Sequence, residues 1–250
     1  MVINEIFPNP TVKQVIFQIK FPNLLYIENR LGDFQLEIID EFPKSSVIYK
    51  RQVLFADTGP GGKLEGIPVE NEEPGFKIWE FKSDKNIKIM LSTYSLSIVS
   101  EYHKTYSLDG GEKFRDIIIS VLESFFKIMK IPHISRIGLR YIDECPLPSK
   151  NNDTLNEYYN SAFPTGKFKL ENTEEMQFVA LIEREGHKLR YSEVLKKVNS
   201  EYQYILDFDG FTHDIETSKY LEVTDKLHTL ISDEFEKTIK KPVYDHMRGT

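Results

Sequence analysis

The same order of secondary-structure elements can be read twice along this chain of 250 residues. Each reading runs strand, helix, Phe-Pro, several strands and a long helix, and ends at Pro132 or Pro242. Residues 14–21 alternate apolar and polar side chains, as a half-buried strand does. The long helices repeat apolar residues at intervals of three and four. This order predicts an α+β fold made of two related halves, residues 1–132 and 133–250, each an antiparallel sheet packed on a long helix.

Residue identities between the halves favour an internal duplication. A shift of 110 positions aligns residues 94–132 with 204–242, and chance would give roughly two or three identities there. The alternative is that two unrelated helices share the same amphipathic pattern. The eight identical pairs are Tyr94/Tyr204, Leu96/Leu206, His103/His213, Glu112/Glu222, Phe125/Phe235, Lys127/Lys237, Lys130/Lys240 and Pro132/Pro242.

Two local features predict loop and helix boundaries. Residues 57–74 combine Gly, Pro and acidic residues without apolar periodicity, which predicts an exposed and mobile loop. Asp109 and Glu112 have the spacing of a capping box, which predicts the start of the first long helix. Pro132 and Pro242 are expected to lie just beyond the two long helices.

Composition narrows the classes of function. The net charge of −7 argues against a nucleic-acid partner, because phosphate binding usually needs a surplus of basic residues. The single cysteine, Cys145, excludes an intrachain disulfide framework and a cysteine-cluster zinc site. The sequence contains no apolar run long enough to span a membrane and no signal-peptide pattern at its start. These features predict a cytoplasmic protein with no membrane partner.

One candidate binding site lies in the segment RIGLRYID. As a strand, this segment puts Arg136, Gly138 and Arg140 on one face, with the two arginines about 13 Å apart. Glycine leaves the space between them open, and guanidinium groups bind phosphates and carboxylates with paired hydrogen bonds. The pattern therefore predicts a notch for a small anionic ligand. The alternative is that both arginines pair with acids on a neighbouring strand.

A second candidate is the pair Asp207 and Asp209. The strand alternation points Tyr204, Leu206 and Phe208 inward and sends both carboxylates to the opposite face, about 7 Å apart. Paired carboxylates could hold Mg²⁺ or Mn²⁺ for hydrolysis. The alternative is an ion-paired sheet face, for which Arg136 and Arg140 are the candidate partners. His228, beside Leu227 on the last helix, is interpreted as a partly buried structural histidine.

The chain resembles a sporadically distributed family of prokaryotic proteins of about this length, for which no activity is established. The resemblance covers essentially the whole chain, and it implies no catalytic residues. Members of that family often carry Asn at the position of Asp143. Their patchy occurrence is similar to that of accessory genes on mobile or defence-type islands. The matching residues are Pro10, Val15, Phe17, Ile19, Phe21, Phe42, Pro43, Trp79, Phe81, Arg136, Gly138, Leu139, Arg140, Tyr141, Ile142, Asp143, Leu206, Asp207, Asp209, Leu227, His228 and Phe235.

The sequence therefore predicts a non-catalytic, cytosolic binding or interaction protein. Its expected partner is a small anionic ligand or a protein from the same operon, and a homodimer is left open. The residues expected to line the site are Arg136, Gly138, Arg140, Asp207 and Asp209. The alternative is a metal-dependent hydrolase or nuclease that uses Asp207 and Asp209. No cofactor is indicated, and no metal ligands are assigned under the leading interpretation.

Overall fold

A computed structural model of the chain describes residues 5–50 and 76–250. The loop predicted at 57–74 lies outside the described residues. The strands are β1 (Val12–Lys20), β2 (Lys44–Lys50), β3 (Phe76–Lys82), β4 (Ile87–Leu91), β5 (Ser95–Ser100), β6 (Ile134–Cys145), β7 (Met176–Arg184), β8 (His187–Val198) and β9 (Glu201–Ile215). The α-helices are α1 (Ile27–Ile38), α2 (Phe114–Ile128), α3 (Asn152–Tyr158), α4 (Tyr220–Thr238) and α5 (Lys241–Arg248).

The nine strands form one antiparallel sheet in the order β2-β3-β4-β5-β1-β6-β9-β8-β7. The α+β class predicted from the sequence is confirmed. The expectation of a separate sheet in each half is wrong, because β1 and β6 are hydrogen-bonded neighbours, with Phe17 opposite Leu139. The predicted boundary at 132/133 falls in the connection between α2 and β6, and the chain shows no evident division into two halves.

The two faces of the sheet differ in what covers them. The helices of the described chain pack on one face, which we call the helix face, and none packs on the other, which we call the open face. Strand alternation decides which side chains go where, since β1 buries Val15, Phe17 and Ile19 and turns Gln18 to the open face. Contacts on the helix face include Phe34 with Phe81, Phe125 with Phe21, Tyr159 with Tyr204, and Ile231 beside Gly210.

Two helix starts differ from the sequence prediction. The capping-box prediction is wrong, because α2 begins after Lys113 without a side-chain cap, and Asp109 instead binds the Lys113 ammonium at 2.6 Å. Pro242 does lie beyond α4, but it also occupies the first turn of α5, a helix that the sequence analysis missed. Proline suits that position, because the N–H groups of a first turn have no partner within the helix.

Phe125 and Phe235, the residues matched by the shift of 110 positions, are both buried in the core.

Within the described residues, no helix is long and apolar enough to cross a membrane.

Candidate functional site

The structure brings the five residues of the predicted site together on the open face. Arg136, Gly138 and Arg140 lie on β6, and Asp207 and Asp209 lie on the adjacent strand β9. Direct pairing places Arg140 opposite Asp209. Each guanidinium, however, bonds to an aspartate that is not its direct partner across the strands.

Both arginines form paired hydrogen bonds with aspartates. Arg140 Nε and Nη2 donate to the two carboxylate oxygens of Asp207 at 2.7 and 2.6 Å. Arg136 Nη2 donates to both oxygens of Asp209, at 3.1 and 2.9 Å. The ion-paired sheet face, which the sequence left open as an alternative, is therefore what the structure contains.

The notch expected above Gly138 is filled by the side chain of Arg136. A Cβ atom placed on Gly138 would lie 2.6 Å from Arg136 Nη1, so the guanidinium lies directly over the glycine. The same group donates to Gln18 Oε1 at 3.2 Å and lies over the ring of Phe211, 4.6 Å from its centroid. These contacts engage Nη1 and Nη2 of Arg136, although each guanidinium has five N–H donors and keeps some beyond the bonds to its aspartate.

The charges on this face also compensate one another. The hydrogen bond to Asp207 raises the pKa of Arg140. Burial raises the pKa of Asp209, although the Arg136 charge opposes that change. Among the described residues, no group of three or more His, Cys, Asp or Glu side chains is arranged to hold a metal ion.

A cavity of about 390 Å³ lies against the helix face of the same strand, β6. It is bounded by the start of β1, by β6 and β9, by α4 and α5, and by the segments around residues 5–10 and 104–108. This volume falls in the range of pockets that hold small molecules. Its apolar walls include Phe7, Val12, Leu108, Ile231, Phe235 and Met247.

Asp143 provides a buried carboxyl group at this cavity. Its Oδ1 accepts a hydrogen bond from the Thr11 hydroxyl at 2.8 Å. The pairing of β1 with β6 shifts register between Val12 and Gln14, next to this contact. Burial raises the pKa of Asp143 to about 7, and the Thr11 hydrogen bond only partly opposes this. A carboxyl with this pKa can donate or accept a proton near neutral pH.

Two further polar groups lie near Asp143. Tyr141 lines the cavity, and its buried hydroxyl makes no hydrogen bond within the described part of the chain. Lys104 also lines the cavity and donates from Nζ to the carbonyl oxygens of Val12 at 2.8 Å and Glu101 at 3.3 Å. An ammonium has three donors, so one remains beyond these two bonds.

The opposite wall of the cavity is a connected polar group. The Tyr106 hydroxyl donates to Asp225 Oδ1 at 2.6 Å, and Arg115 donates to both Asp225 oxygens, at 2.9 and 3.0 Å. Although burial opposes it, the bonds from Arg115 and Tyr106 lower the pKa of Asp225. The His228 ring stacks on Tyr106. Asp225 on this wall accepts three hydrogen bonds from neighbouring side chains, whereas the Tyr141 hydroxyl at the other end makes none within the described residues.

The N-terminal segment closes one side of the cavity by docking on α5. The backbone N–H of Asn9 donates to the Met247 carbonyl oxygen at 3.0 Å, and the Arg248 guanidinium forms an ion pair with the Glu5 carboxylate at 2.7 Å. The helix that the sequence analysis missed therefore helps to build the cavity.

The candidate site predicted from the sequence lies on the open face of β6, whereas the cavity lies against the helix face of the same strand. Tyr141 and Asp143 lie on the same face of β6 as the buried Leu139, because alternate residues of a strand share a face. A carboxylate on the buried face of a strand is unusual, and this feature of the sequence could have identified Asp143 as a candidate site residue. His228 is partly buried, as predicted; it stacks on Tyr106 and lines the cavity. The positions of Thr11 and Lys104 beside this site could not be predicted from the sequence, because both residues are distant from β6 along the chain.

No family model matches this chain, and searches of curated proteins and of solved structures gave no match either. The resemblance described from sequence motifs is therefore untested.

Proposed function

We propose that this protein is a cytosolic, non-catalytic binding protein that holds a small molecule in the cavity between β6, β9 and α4. The observation that carries the proposal is that the buried carboxyl of Asp143 and the hydroxyl of Tyr141, which has no hydrogen-bond partner among the described residues, line one cavity of about 390 Å³. Buried polar groups are normally hydrogen-bonded, so an unpaired hydroxyl that lines a cavity is available to a bound molecule.

The arrangement of donors favours an anionic group on an apolar body. Lys104 supplies a positive charge with one unused donor, and the Tyr141 hydroxyl and the protonated form of Asp143 each supply another. The remaining walls are mainly apolar and suit a hydrocarbon or aromatic body. We therefore propose a small organic acid as the ligand, which keeps the predicted ligand chemistry but moves it to the other face of β6.

The test is a thermal-shift panel of small carboxylates, phosphates, amines and neutral alcohols, followed by calorimetry of each compound that stabilises the protein. Ser232→Phe on α4 should fill the cavity and abolish binding, because Ser232 lines it. Ser149→Phe makes the same change at an exposed position away from the cavity and should leave binding intact. Affinity for an acid should fall as pH rises through about 7, because ionised Asp143 repels it.

Other outcomes would move the site or reject it. Binding that survives Ser232→Phe but disappears in the double variant Arg136→Lys/Arg140→Lys would return the site to the open face. Affinity that rises with pH through about 7 would indicate a cationic ligand at ionised Asp143. A panel without any stabilising compound would favour a partner protein from the same operon. Activity that depends on added Mn²⁺ and is lost in Asp207→Asn would favour the hydrolase alternative.

We also propose that the chain arose by duplication of one strand-and-helix unit. The order of strands supports this, because β5, β4 and β3 follow β1 on one side just as β9, β8 and β7 follow β6 on the other. Superposition of residues 12–132 on 135–242 should then place Phe125 on Phe235. Unrelated positions for these two rings would reject the duplication.

A further inference from the structure

Strand β7 forms one edge of the sheet in the part of the chain that the structure describes. It contains neither Lys nor Pro, the residues with which many proteins protect a free edge from pairing. Val179 and Leu181 are 45% and 62% exposed on this strand. An edge strand of nine residues with two exposed apolar side chains at its centre is suited to pair with another strand.

The hairpin that joins β7 to β8 determines which backbone groups face outward. Arg184 pairs with His187 across a turn in which Glu185 and Gly186 have φ of 53° and 77°. The pair that flanks such a two-residue turn is hydrogen-bonded, and bonded pairs then alternate along the strands. Even-numbered residues of β7 therefore bond to β8. The residues whose N–H and C=O groups point away from the sheet are Gln177, Val179, Leu181 and Glu183.

The sequence of β7 is complementary to itself about Ala180. Suppose that β7 pairs antiparallel with β7 of a second copy, with the two Ala180 residues opposite each other. On the open face, Val179 of each copy then lies opposite Leu181 of the other copy. Gln177 then lies opposite Glu183, so that an amide meets a carboxylate. No two like charges oppose each other within the strand, and about eight backbone hydrogen bonds can form.

Neighbouring registers are less favourable. A centre at Val179 would place Leu181 opposite Gln177, and a centre at Leu181 would place Val179 opposite Glu183. Either shift sets apolar side chains against polar ones on the open face, whereas the register centred on Ala180 pairs apolar with apolar and polar with polar there.

We propose that the protein forms a homodimer in which β7 of each copy pairs antiparallel about Ala180, so that one sheet continues through both copies. The cavity beside Asp143 lies at the centre of the sheet and is not part of this interface. Dimerisation and ligand binding are therefore separate properties.

Sedimentation velocity of matched variants tests the dimer. Val179→Lys places repelling charges at the centre of the interface, and the variant should sediment as a monomer of 29.2 kDa. The control is Val47→Lys on β2, which changes a valine with 46% exposure and should leave a dimer of twice that mass. Leu181→Lys should behave like Val179→Lys, and far-UV circular dichroism checks that all three variants fold.

Hydrogen exchange gives a second measurement on the wild-type protein. The outward amides of Val179 and Leu181 should exchange more slowly as the protein concentration rises, because pairing protects them. A wild type that remains a monomer of 29.2 kDa at about 1 mM would overturn the proposal. Equal masses for Val179→Lys and Val47→Lys, or dimers with unprotected Val179 and Leu181 amides, would also overturn it.

Discussion

The imidazole of His228 lies flat on the ring of Tyr106, with ring centroids 4.2 Å apart and an angle of 14° between the planes. Tyr106 is fixed in turn by its hydrogen bond to Asp225. The contact joins α4 to the segment that follows β5 and forms one wall of the cavity. The side chains of this wall are therefore already ordered, which reduces the conformational entropy that the protein would lose when a ligand binds.

We expect His228 to remain neutral until about pH 4, because burial lowers its pKa to about 4. The unfolded chain takes up this proton near pH 6.5, so stability is lost as pH falls from about 6.5 to about 4. His228→Phe keeps a ring against Tyr106 and removes the titration. The difference in unfolding free energy between wild type and variant should change by roughly 1–3 kcal/mol over this range. Parallel pH curves in urea denaturation would contradict the expectation.

Asp143 should have the opposite effect on stability. Its folded pKa of about 7 lies above the usual value for an aspartate, so its contribution is fully present below about pH 4 and is lost as pH rises through about 7. Asp143→Asn keeps an oxygen that accepts from Thr11 and removes the titration. Compared with this variant, wild type should lose up to about 4 kcal/mol between pH 4 and pH 8. A constant difference between the two denaturation series would show that Asp143 ionises at its usual pKa.

Two tyrosine hydroxyls at the cavity should respond oppositely to removal. The Tyr141 hydroxyl is buried and has no partner among residues 5–50 and 76–250, so Tyr141→Phe should raise the unfolding free energy of the ligand-free protein by about 1 kcal/mol. Tyr106→Phe serves as the matched control, because it removes a hydroxyl that donates to Asp225, and it should cost about 1–2 kcal/mol. The measurement is thermal and urea denaturation. A loss of stability in Tyr141→Phe would mean that its hydroxyl has a partner in solution.

Two glycines on opposite faces of the sheet should differ in their tolerance of alanine. In Gly210→Ala the added methyl group would lie 3.2 Å from Ile231 Cδ1, so the buried Ile231 side chain must shift by a few tenths of an ångström within the core. The expected cost is roughly 1–3 kcal/mol. In Gly138→Ala the methyl displaces only the end of the Arg136 side chain, and about 1 kcal/mol or less should be lost with the Asp209 ion pair. Equal losses would contradict the distinction between a packed face and an open one.

Local sequence patterns were sufficient for most strands and for the direction of their side chains. The half-buried strand predicted at 14–21 corresponds to β1, and the alternation that sent Asp207 and Asp209 away from the core is present in β9. Alternation is a property of neighbouring residues, and therefore sequence determines it directly. Helix α5 was not predicted, because Pro242 indicated the end of α4. Proline is also favoured in the first turn of a helix, which is where Pro242 lies in α5.

The tertiary structure alone decided how these elements meet. Pairing of β1 with β6 makes one sheet where the sequence suggested two, and the register of β6 with β9 places each arginine within reach of an aspartate. The cavity joins Thr11, Lys104 and Asp143, which are far apart along the chain. Such contacts depend on loop closure and on competition between alternative strand pairings, which are non-local properties. The sequence by itself therefore determined which face each side chain of β6 would occupy, whereas only the packed sheet and helices decided which of the two faces holds a cavity.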